Sequence, residues 1–327
     1  MYDWKEMLEV VNKAIAAMPF DREPAALYAP IRYVLSLGGK RIRPVMMLMA
    51  YNLYKEDVET IMPQALGLET YHNYTLLHDD LMDRADVRRG RPTVHKKWND
   101  NAAILSGDTM LVMAYRYMHT CADASKLAAV LDLFTETALQ IGEGQQYDME
   151  FEGRDDVTED EYIEMIRLKT SVLLACALKM GALLAGAPAD DADRLYELRV
   201  NVGLAFQLQD DCLDVYGDPA VFGKKIGGDI LCNKKTYMLI NALRLAGPAD
   251  REALQAWIDR AEGSFQPEEK IAAVTALYDK MDIRALCERK IAAYFDAALA
   301  VLEALQVDEV RKQPLRQMVM SLLGRNV

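Results

Sequence analysis

Two acidic clusters of identical spacing carry the clearest chemistry in this 327-residue sequence: Asp79-Asp80-Leu81-Met82-Asp83 and Asp210-Asp211-Cys212-Leu213-Asp214. On a helix, carboxylates at i and i+4 project from one face, one turn apart. A single acidic turn is most often solvated surface. Here, however, each copy is entered from a partly apolar run, Leu76-Leu77-His78 in one case and Leu204 to Gln209 in the other, where carboxylates without partners are costly. Two such faces could hold hard cations between them. Carboxylate oxygen is the donor that magnesium prefers, and magnesium takes its remaining ligands from water and substrate phosphates. The substrate expected on these grounds is a phosphate ester. Each cluster is followed by a basic, glycine-bearing connection, Arg84 to Lys97 (RADVRRGRPTVHKK) and Gly217 to Lys235 (GDPAVFGKKIGGDILCNKK), as a metal-bridged phosphate site requires.

The elements that must position these residues are helices. Periodicity of the helical kind dominates and strand-like alternation is nearly absent, which predicts an all-α fold. Met7, Val10, Val11 and Ile15 mark an amphipathic first helix, and Pro24 can open a second that stops at Gly38-Gly39. Further helices are expected over Val45 to Lys55, Val58 to Met82, Asn99 to Thr120, Ala124 to Glu150, Glu159 to Leu184 and Ala192 to Tyr216, with several more beyond Thr236 around a Gly247-Pro248 break. No Pro-, Gly- or Ser-rich linker divides the chain, so a single domain over 1–327 is expected.

Composition narrows the function. With 51% hydrophobic and 27% charged residues the chain can build a large core, and a net charge of −12 argues against nucleic acid as a partner, because a phosphate backbone demands surplus Lys and Arg. The five cysteines, Cys121, Cys176, Cys212, Cys232 and Cys287, are scattered and odd in number, which points to reduced thiols in a cytoplasmic protein. The start, Met1 to Glu6, shows no secretory pattern. The most apolar stretch, Ser171 to Ala189, is broken by Lys179, Gly181 and Pro188, so a buried core helix is expected there and no stable membrane insertion.

Taken in order, the motifs resemble those of the trans-isoprenyl diphosphate synthases, the short-chain polyprenyl synthetases that make farnesyl and geranylgeranyl diphosphate. They are Gly39-Lys40-Arg41-Ile42-Arg43-Pro44, His72, HDDLMD with RRGRPTVH, Gly144-Gln145, Lys169-Thr170, FQLQDDCLDVYGD, and GKKIGGD with Lys234. The resemblance runs from Gly38 to about Thr236. It implies an antiparallel helical bundle around a central cavity, with the two aspartate motifs facing each other at its mouth and three magnesium ions bridging them to an allylic diphosphate. Asp79, Asp83 and Asp210 match the usual metal ligands, with Asp80, Asp211, Asp214 and Asp229 as partial ligands or outer partners. Arg88, Lys169 and Lys224 match residues that hold the allylic diphosphate, and Lys234 matches a second contact. Gly39, Lys40, Arg43, His72 and Arg89 match the site for isopentenyl diphosphate. The resemblance also implies a homodimer.

The implied reaction is ionisation of an allylic diphosphate, attack by the double bond of isopentenyl diphosphate, and loss of a proton. The backbone carbonyls at Lys169-Thr170 and the Gln207 side chain match positions that face the cation, and no Ser, Cys or His nucleophile is needed. Product length in the family is limited by the residues one and two turns before the first aspartate motif, here Tyr71, Tyr74 and Thr75, so a short product is expected. The C-terminus around Arg325 only loosely resembles the basic tail of relatives. Three rivals share parts of the pattern. Terpene cyclases normally carry a different second metal motif from DDCLD, head-to-head synthases tend to space their aspartates as DxxxD, and non-catalytic subunits of heteromeric synthases typically lose aspartates that are all present here.

Overall fold

The computed structural model describes residues 2–217, 226–261 and 263–323, and they are overwhelmingly helical. The chain divides into two compact units. One comprises Met1–Ala138, Leu173–Tyr196 and Leu305–Met318, the other Leu139–Val172, Glu197–Ala304 and Val319–Val327.

In the first unit, α1 (Trp4–Ala16) opens with a capping box: Asp3 accepts from the Glu6 backbone N–H, and Glu6 reaches back to the Asp3 N–H, both at 2.8 Å. Its Met7, Val11 and Ile15 are buried at i, i+4 and i+8. The second helix, α2 (Ala25–Ser36), starts after Pro24 as expected. Next, α3 (Ile42–Asn52) begins three residues earlier than the apolar pattern predicts, because Arg41 takes a left-handed φ of 47° and turns the chain straight into it. A 3-10 turn at Val58–Ile61 leads into α4 (Met62–Met82), the helix that carries the first aspartate cluster. Against it packs α6 (Asp100–His119), reached through the short α5 (Val94–Lys97) and started by Asn99, which accepts from the Ala102 N–H. The two helices approach closely because Gly67 and Gly107 lack side chains; a Cβ on Gly67 would lie 2.9 Å from Tyr117 Cβ, and one on Gly107 2.2 Å from the His78 ring. The apolar α9 (Val172–Ala185) packs just as closely on α3, with Gly181 admitting the Met47 carbonyl. The run Glu159–Ala185 is long and apolar enough to cross a membrane, but 78% of its most apolar window is buried inside the protein.

The sequence reading places a plain loop between Arg84 and Lys97. The structure instead forms a small antiparallel ribbon of β1 (Val87–Arg88) and β2 (Arg91–Pro92), pairing Val87 with Pro92 and Arg88 with Arg91. Arg89 and Gly90, its two turn residues, both have positive φ (52° and 73°), the requirement of the tight type I′ hairpin turn.

The second unit takes the later part of α7 (Leu127–Glu152), then α8 (Glu159–Ile166), whose capping box joins Thr158 and Glu161. The predicted continuous helix from Glu159 is interrupted by a π-helical stretch, Arg167–Ser171. Residues 197–216 of α10 (Ala189–Tyr216) carry the second aspartate cluster. After the short α11 (Gly228–Leu231) come α12 (Tyr237–Leu245), α13 (Pro248–Ile258), α14 (Pro267–Lys280) and α15 (Ile283–Glu303), while α16 (Glu309–Leu323) begins in the first unit. The five cysteines are all free.

Candidate active site

The first aspartate cluster occupies the last turn of α4, with Asp83 as its C-cap. Helix ends of this kind carry the negative pole of the helix dipole and exposed carbonyls, so adding three carboxylates makes a strongly cation-seeking patch. The outer pair and the inner residue part company. Asp79 is partly exposed and Asp83 exposed, whereas Asp80 is 6% exposed. Arg88, brought in by the ribbon, lies across Asp80 as a fork: its Nε is 2.8 Å from both carboxylate oxygens and its Nη2 is 2.7 Å from Oδ1. The same Nη2 is 3.5 Å from Asp79 Oδ2. Because the next two residues form the hairpin turn, Arg89 is sent elsewhere.

Arg89 reaches the Gly38 carbonyl and lies over Gly39, where a Cβ would stand 3.0 Å from the guanidinium carbon. It thereby joins Gly39, Lys40, Arg43 and His72 around one cavity of about 500 Å³. In the wall of the cavity Arg41 and Glu69 form an ion pair at 2.7 Å, both side chains 3% exposed, and Arg41 also donates to the Leu35 carbonyl at 2.6 Å. Glu69 accepts from Asn73 as well, at 3.0 Å. A buried pair with this many partners is a fixed brace, and removing one member would destabilise the unit by about 3–5 kcal/mol. Arg41 therefore belongs to the scaffold and not to a surface patch.

Electrostatics in the cavity are one-sided. Burial draws Arg43 down to about 10, with the neighbouring Arg89 adding to the effect and Glu69 opposing it. Burial, then the charges of Arg43, Arg89, Arg88 and Arg41, hold His72 well below its usual value, so its ring is neutral near pH 7. Arg43 Nη1 stands 3.1 Å from His72 Nε2. Since a guanidinium can only donate, Nε2 is the acceptor and the ring proton sits on Nδ1. Three cations and a neutral donor imidazole around one opening, with Glu69 committed to Arg41, constitute a receptor for a multiply charged anion.

The second cluster lies in the last two turns of α10 and repeats the division of labour. Asp210 and Asp214 are partly exposed, and Asp211 is 4% exposed. Asp211 accepts from the Tyr162 hydroxyl of α8 and from Gln207 Nε2 at 3.4 Å. Burial raises its pKa to about 7, against the lowering effect of the Tyr162 hydrogen bond. Asp214 holds the downstream connection: its Oδ2 accepts from the Asp229 N–H at 3.0 Å, and its carbonyl accepts from the Gly227 N–H at 2.6 Å. Lys234, exposed, follows closely, with its N–H on the Asp229 carbonyl at 2.9 Å. Lys224 and Arg325 lie outside the described residues.

Lys169 and Thr170 sit in the π-helical stretch, half-buried, with Lys169 Nζ 2.5 Å from Asp148 Oδ2 of α7. A π turn lodges an extra residue and displaces carbonyls from the regular ladder, a form that recurs at functional sites. Two glycines admit it. A Cβ on Gly144 would come 2.3 Å from the Lys169 nitrogen, and one on Gly203 2.4 Å from Ser171 Oγ.

Further back along α4, Tyr71 is buried and Tyr74 partly so, with ring centroids 5.5 Å apart. Tyr71 stacks edge-on against Phe134 at 5.2 Å, Phe134 against Tyr115 at 4.9 Å, and Tyr74 against His78 at 4.8 Å. The two predicted tyrosines are thus part of a larger aromatic wall.

The donor set fits divalent cations: hard carboxylate oxygens, outer pairs accessible, at negative helix ends. Among the described residues, no three His, Cys, Asp or Glu side chains are gathered tightly enough to enclose an ion by themselves. Arg41 is named in advance only as part of the Gly39–Pro44 motif, without its role, and Glu69, Tyr162, Asp148 and Gly203 are not named at all. Glu69 alone left a trace, lying three residues before His72 on the same helix face.

A helical protein with two carboxylate-bearing helix ends and a cationic cavity defines a class that handles diphosphates with divalent cations. The chain belongs to the polyprenyl synthetase family, whose model matches residues 24–278. It is 42% identical over 233 residues to a geranylgeranyl diphosphate synthase of Methanosarcina mazei, covering 71% of this chain and 72% of the relative. A crystal structure of a geranylgeranyl pyrophosphate synthase superposes over the whole of both chains with a TM-score of 0.94 at 40% identity, so the fold is the all-α isoprenoid synthase fold. A polyprenyl synthase from Caulobacter crescentus, solved with calcium and isoprenyl diphosphate, matches with a TM-score of 0.83 and 28% identity over 98% of this chain and 96% of that one.

Proposed function

We propose that this protein is a short-chain trans-prenyltransferase that condenses isopentenyl diphosphate with allylic diphosphates to give farnesyl or geranylgeranyl diphosphate and pyrophosphate. The observation that carries this reading is the cavity shared by Lys40, Arg43, neutral His72 and Arg89, sized and charged for a diphosphate. Asp79, Asp83 and Asp210 would hold divalent cations, magnesium by its preference for carboxylate and phosphate oxygen and three ions with substrate bound, with Asp80 and Asp214 in supporting positions. The calcium in the Caulobacter relative supports a divalent cation. Bound there, the cations supply Lewis acidity and neutralise charge on a leaving diphosphate.

The protein's own residues do the rest. Arg88, Lys169, Lys234 and Lys224 orient the allylic diphosphate, so that its carbon–oxygen bond breaks with the electron pair leaving on oxygen. Gly39, Lys40, Arg43, His72 and Arg89 hold isopentenyl diphosphate, whose double bond forms the new carbon–carbon bond before a proton departs to diphosphate. Carbonyls of the displaced turn at Lys169 and Thr170, with the Gln207 amide oxygen, face the allylic cation and stabilise it without a covalent bond. Tyr71 and Tyr74 close the hydrocarbon end. A homodimer in the cytoplasm completes the proposal; exposed Ile104, Leu105 and Val112 on α6 supply an apolar stripe for the one, and five free thiols support the other.

Incubation with labelled isopentenyl diphosphate and dimethylallyl, geranyl or farnesyl diphosphate, followed by product chromatography, tests the reading. Elongation should require added magnesium or manganese and stop in excess chelator; undiminished turnover in chelator sinks the metal role. Lys40→Ala should raise the KM for isopentenyl diphosphate about tenfold with kcat nearly kept, as loss of one charge-assisted contact predicts.

A further inference from the structure

Lys270, on the first turn of α14, is 1% exposed and ranks among the largest fully buried side chains. An ammonium in such a place is costly unless its hydrogens are satisfied. Its Nζ lies 2.7 Å from Asn233 Oδ1 and 3.3 Å from the Leu231 carbonyl, and 5.0 Å from the centre of the Phe265 ring. These partners are neutral, and burial correspondingly pulls the Lys270 pKa down. An apolar side chain of similar length would fill the space without that penalty, so the charge has another use.

That use is visible in what Asn233 does. Asn233 adopts a left-handed φ of 53°, tolerable for asparagine but unfavourable by itself, and its amide is pinned from both sides: Nδ2 donates to the Ile258 carbonyl at 3.0 Å while Oδ1 accepts from Lys270. The next residue is Lys234, which stands exposed at the end of the segment that Asp214 anchors through Gly227 and Asp229. Ile271, adjacent to Lys270, covers Gly227, where a Cβ would stand 2.5 Å from its Cδ1. The cavity lined in part by Asp229, Asn233, Lys234, Lys270 and Tyr278 holds only about 10 Å³, room for about one water.

We propose that Lys270 is a positioning residue for the allylic diphosphate, acting through Asn233 to fix where Lys234 presents its charge. This rests on the reading that Lys234 contacts that diphosphate. The test compares Lys270→Met, Lys234→Ala and the double variant under saturating magnesium. Lys270→Met should raise the KM for geranyl diphosphate about tenfold and leave that for isopentenyl diphosphate within about twofold, and the double variant should be no worse than Lys234→Ala, because residues acting in series are non-additive. Equal changes in both KM values, or full additivity, overturns the proposal. An unchanged KM in Lys234→Ala overturns it differently, by removing the reading on which it rests. If Lys270→Met does not fold, Asn233→Gly, which keeps the left-handed backbone and removes the acceptor, must show the same selective rise or the proposal fails.

Discussion

The two aspartate clusters have the same spacing, both sit at helix C-termini, and both expose their outer pair while burying the middle residue; they differ in what answers the buried carboxylate. Asp80 meets the Arg88 guanidinium, a permanent cation held by a tight hairpin. Asp211 meets a phenol and an amide, both neutral, and is raised to about 7. The contrast shows that a repeated motif fixes only its outward face. Asp79, Asp83, Asp210 and Asp214 owe their positions to helix geometry, whereas the inner carboxylates serve the interior of their own unit with whatever donors it offers.

The largest expected effect separates outer from inner positions. Asp79→Ala or Asp210→Ala should lower kcat by about a hundredfold or more, since charge stabilisation of a leaving diphosphate is worth several kcal/mol. Near-normal turnover in either would show that the outer pairs do not hold the ions. Next comes the difference between the inner residues themselves. Asp80→Asn replaces the charged partner of a half-buried arginine with a neutral one and should cost about 1–3 kcal/mol of stability. Asp211→Asn keeps a neutral acceptor for Tyr162 and should cost less; denaturant melts of the two variants at neutral pH decide it, and the reverse order would break the comparison.

A third test moves back along each helix. Eight and five residues before Asp79 stand Tyr71 and Tyr74, while the same offsets before Asp210 give Val202 and Ala205. At these offsets only the first helix carries rings, at the positions where the family resemblance puts the end of the hydrocarbon tunnel. The wild type should stop at farnesyl or geranylgeranyl diphosphate, and Tyr71→Ala/Tyr74→Ala should give longer chains at a similar rate, each added methylene gaining about 0.8 kcal/mol of burial. An unaltered product pattern from the folded double variant would move the floor to α6 around Met110 to Met113. The smallest effect concerns pH. His72 has its pKa depressed by burial and by Arg43, Arg89, Arg88 and Arg41, so its contribution to stability is present above the ordinary value of 6.5 and is lost as pH falls toward the folded value. Acidifying from pH 7 to about 5 should lower the Tm of wild type more than that of His72→Gln, and equal losses would show that His72 is not the titrating group.

Most of what positions the chemistry could be read from local sequence. The helices themselves were legible because apolar spacing acts over a few residues, although α3 and α10 each begin three residues before the expected Val45 and Ala192, and Lys40, Arg43, His72 and Arg89 could be grouped in advance through their resemblance to family motifs. What escaped depends on distant partners. Tyr162 lies 49 residues from Asp211, and nothing near either residue announces the hydrogen bond. Arg41 looks like surface until Glu69, 28 residues later, is folded against it. The ribbon at Val87–Pro92 was not legible, since Arg-Gly is not one of the Asn-Gly or Asp-Gly pairs that signal a hairpin, and two-residue strands are too short for alternation to show.

The displaced turn at Arg167–Ser171 makes this enzyme sensitive to length as well as to side-chain identity. An α-helix advances about 100° per residue, so losing one residue there would let the ladder close into ordinary α-helix while rotating Lys169 by roughly that angle away from Asp148. Every other side chain could remain, and the helix would be more regular. Such a deletion need change no other side chain, yet it would turn the lysine and its carbonyl away from the place proposed for them, so the register of this one turn is inherited information that no single residue encodes.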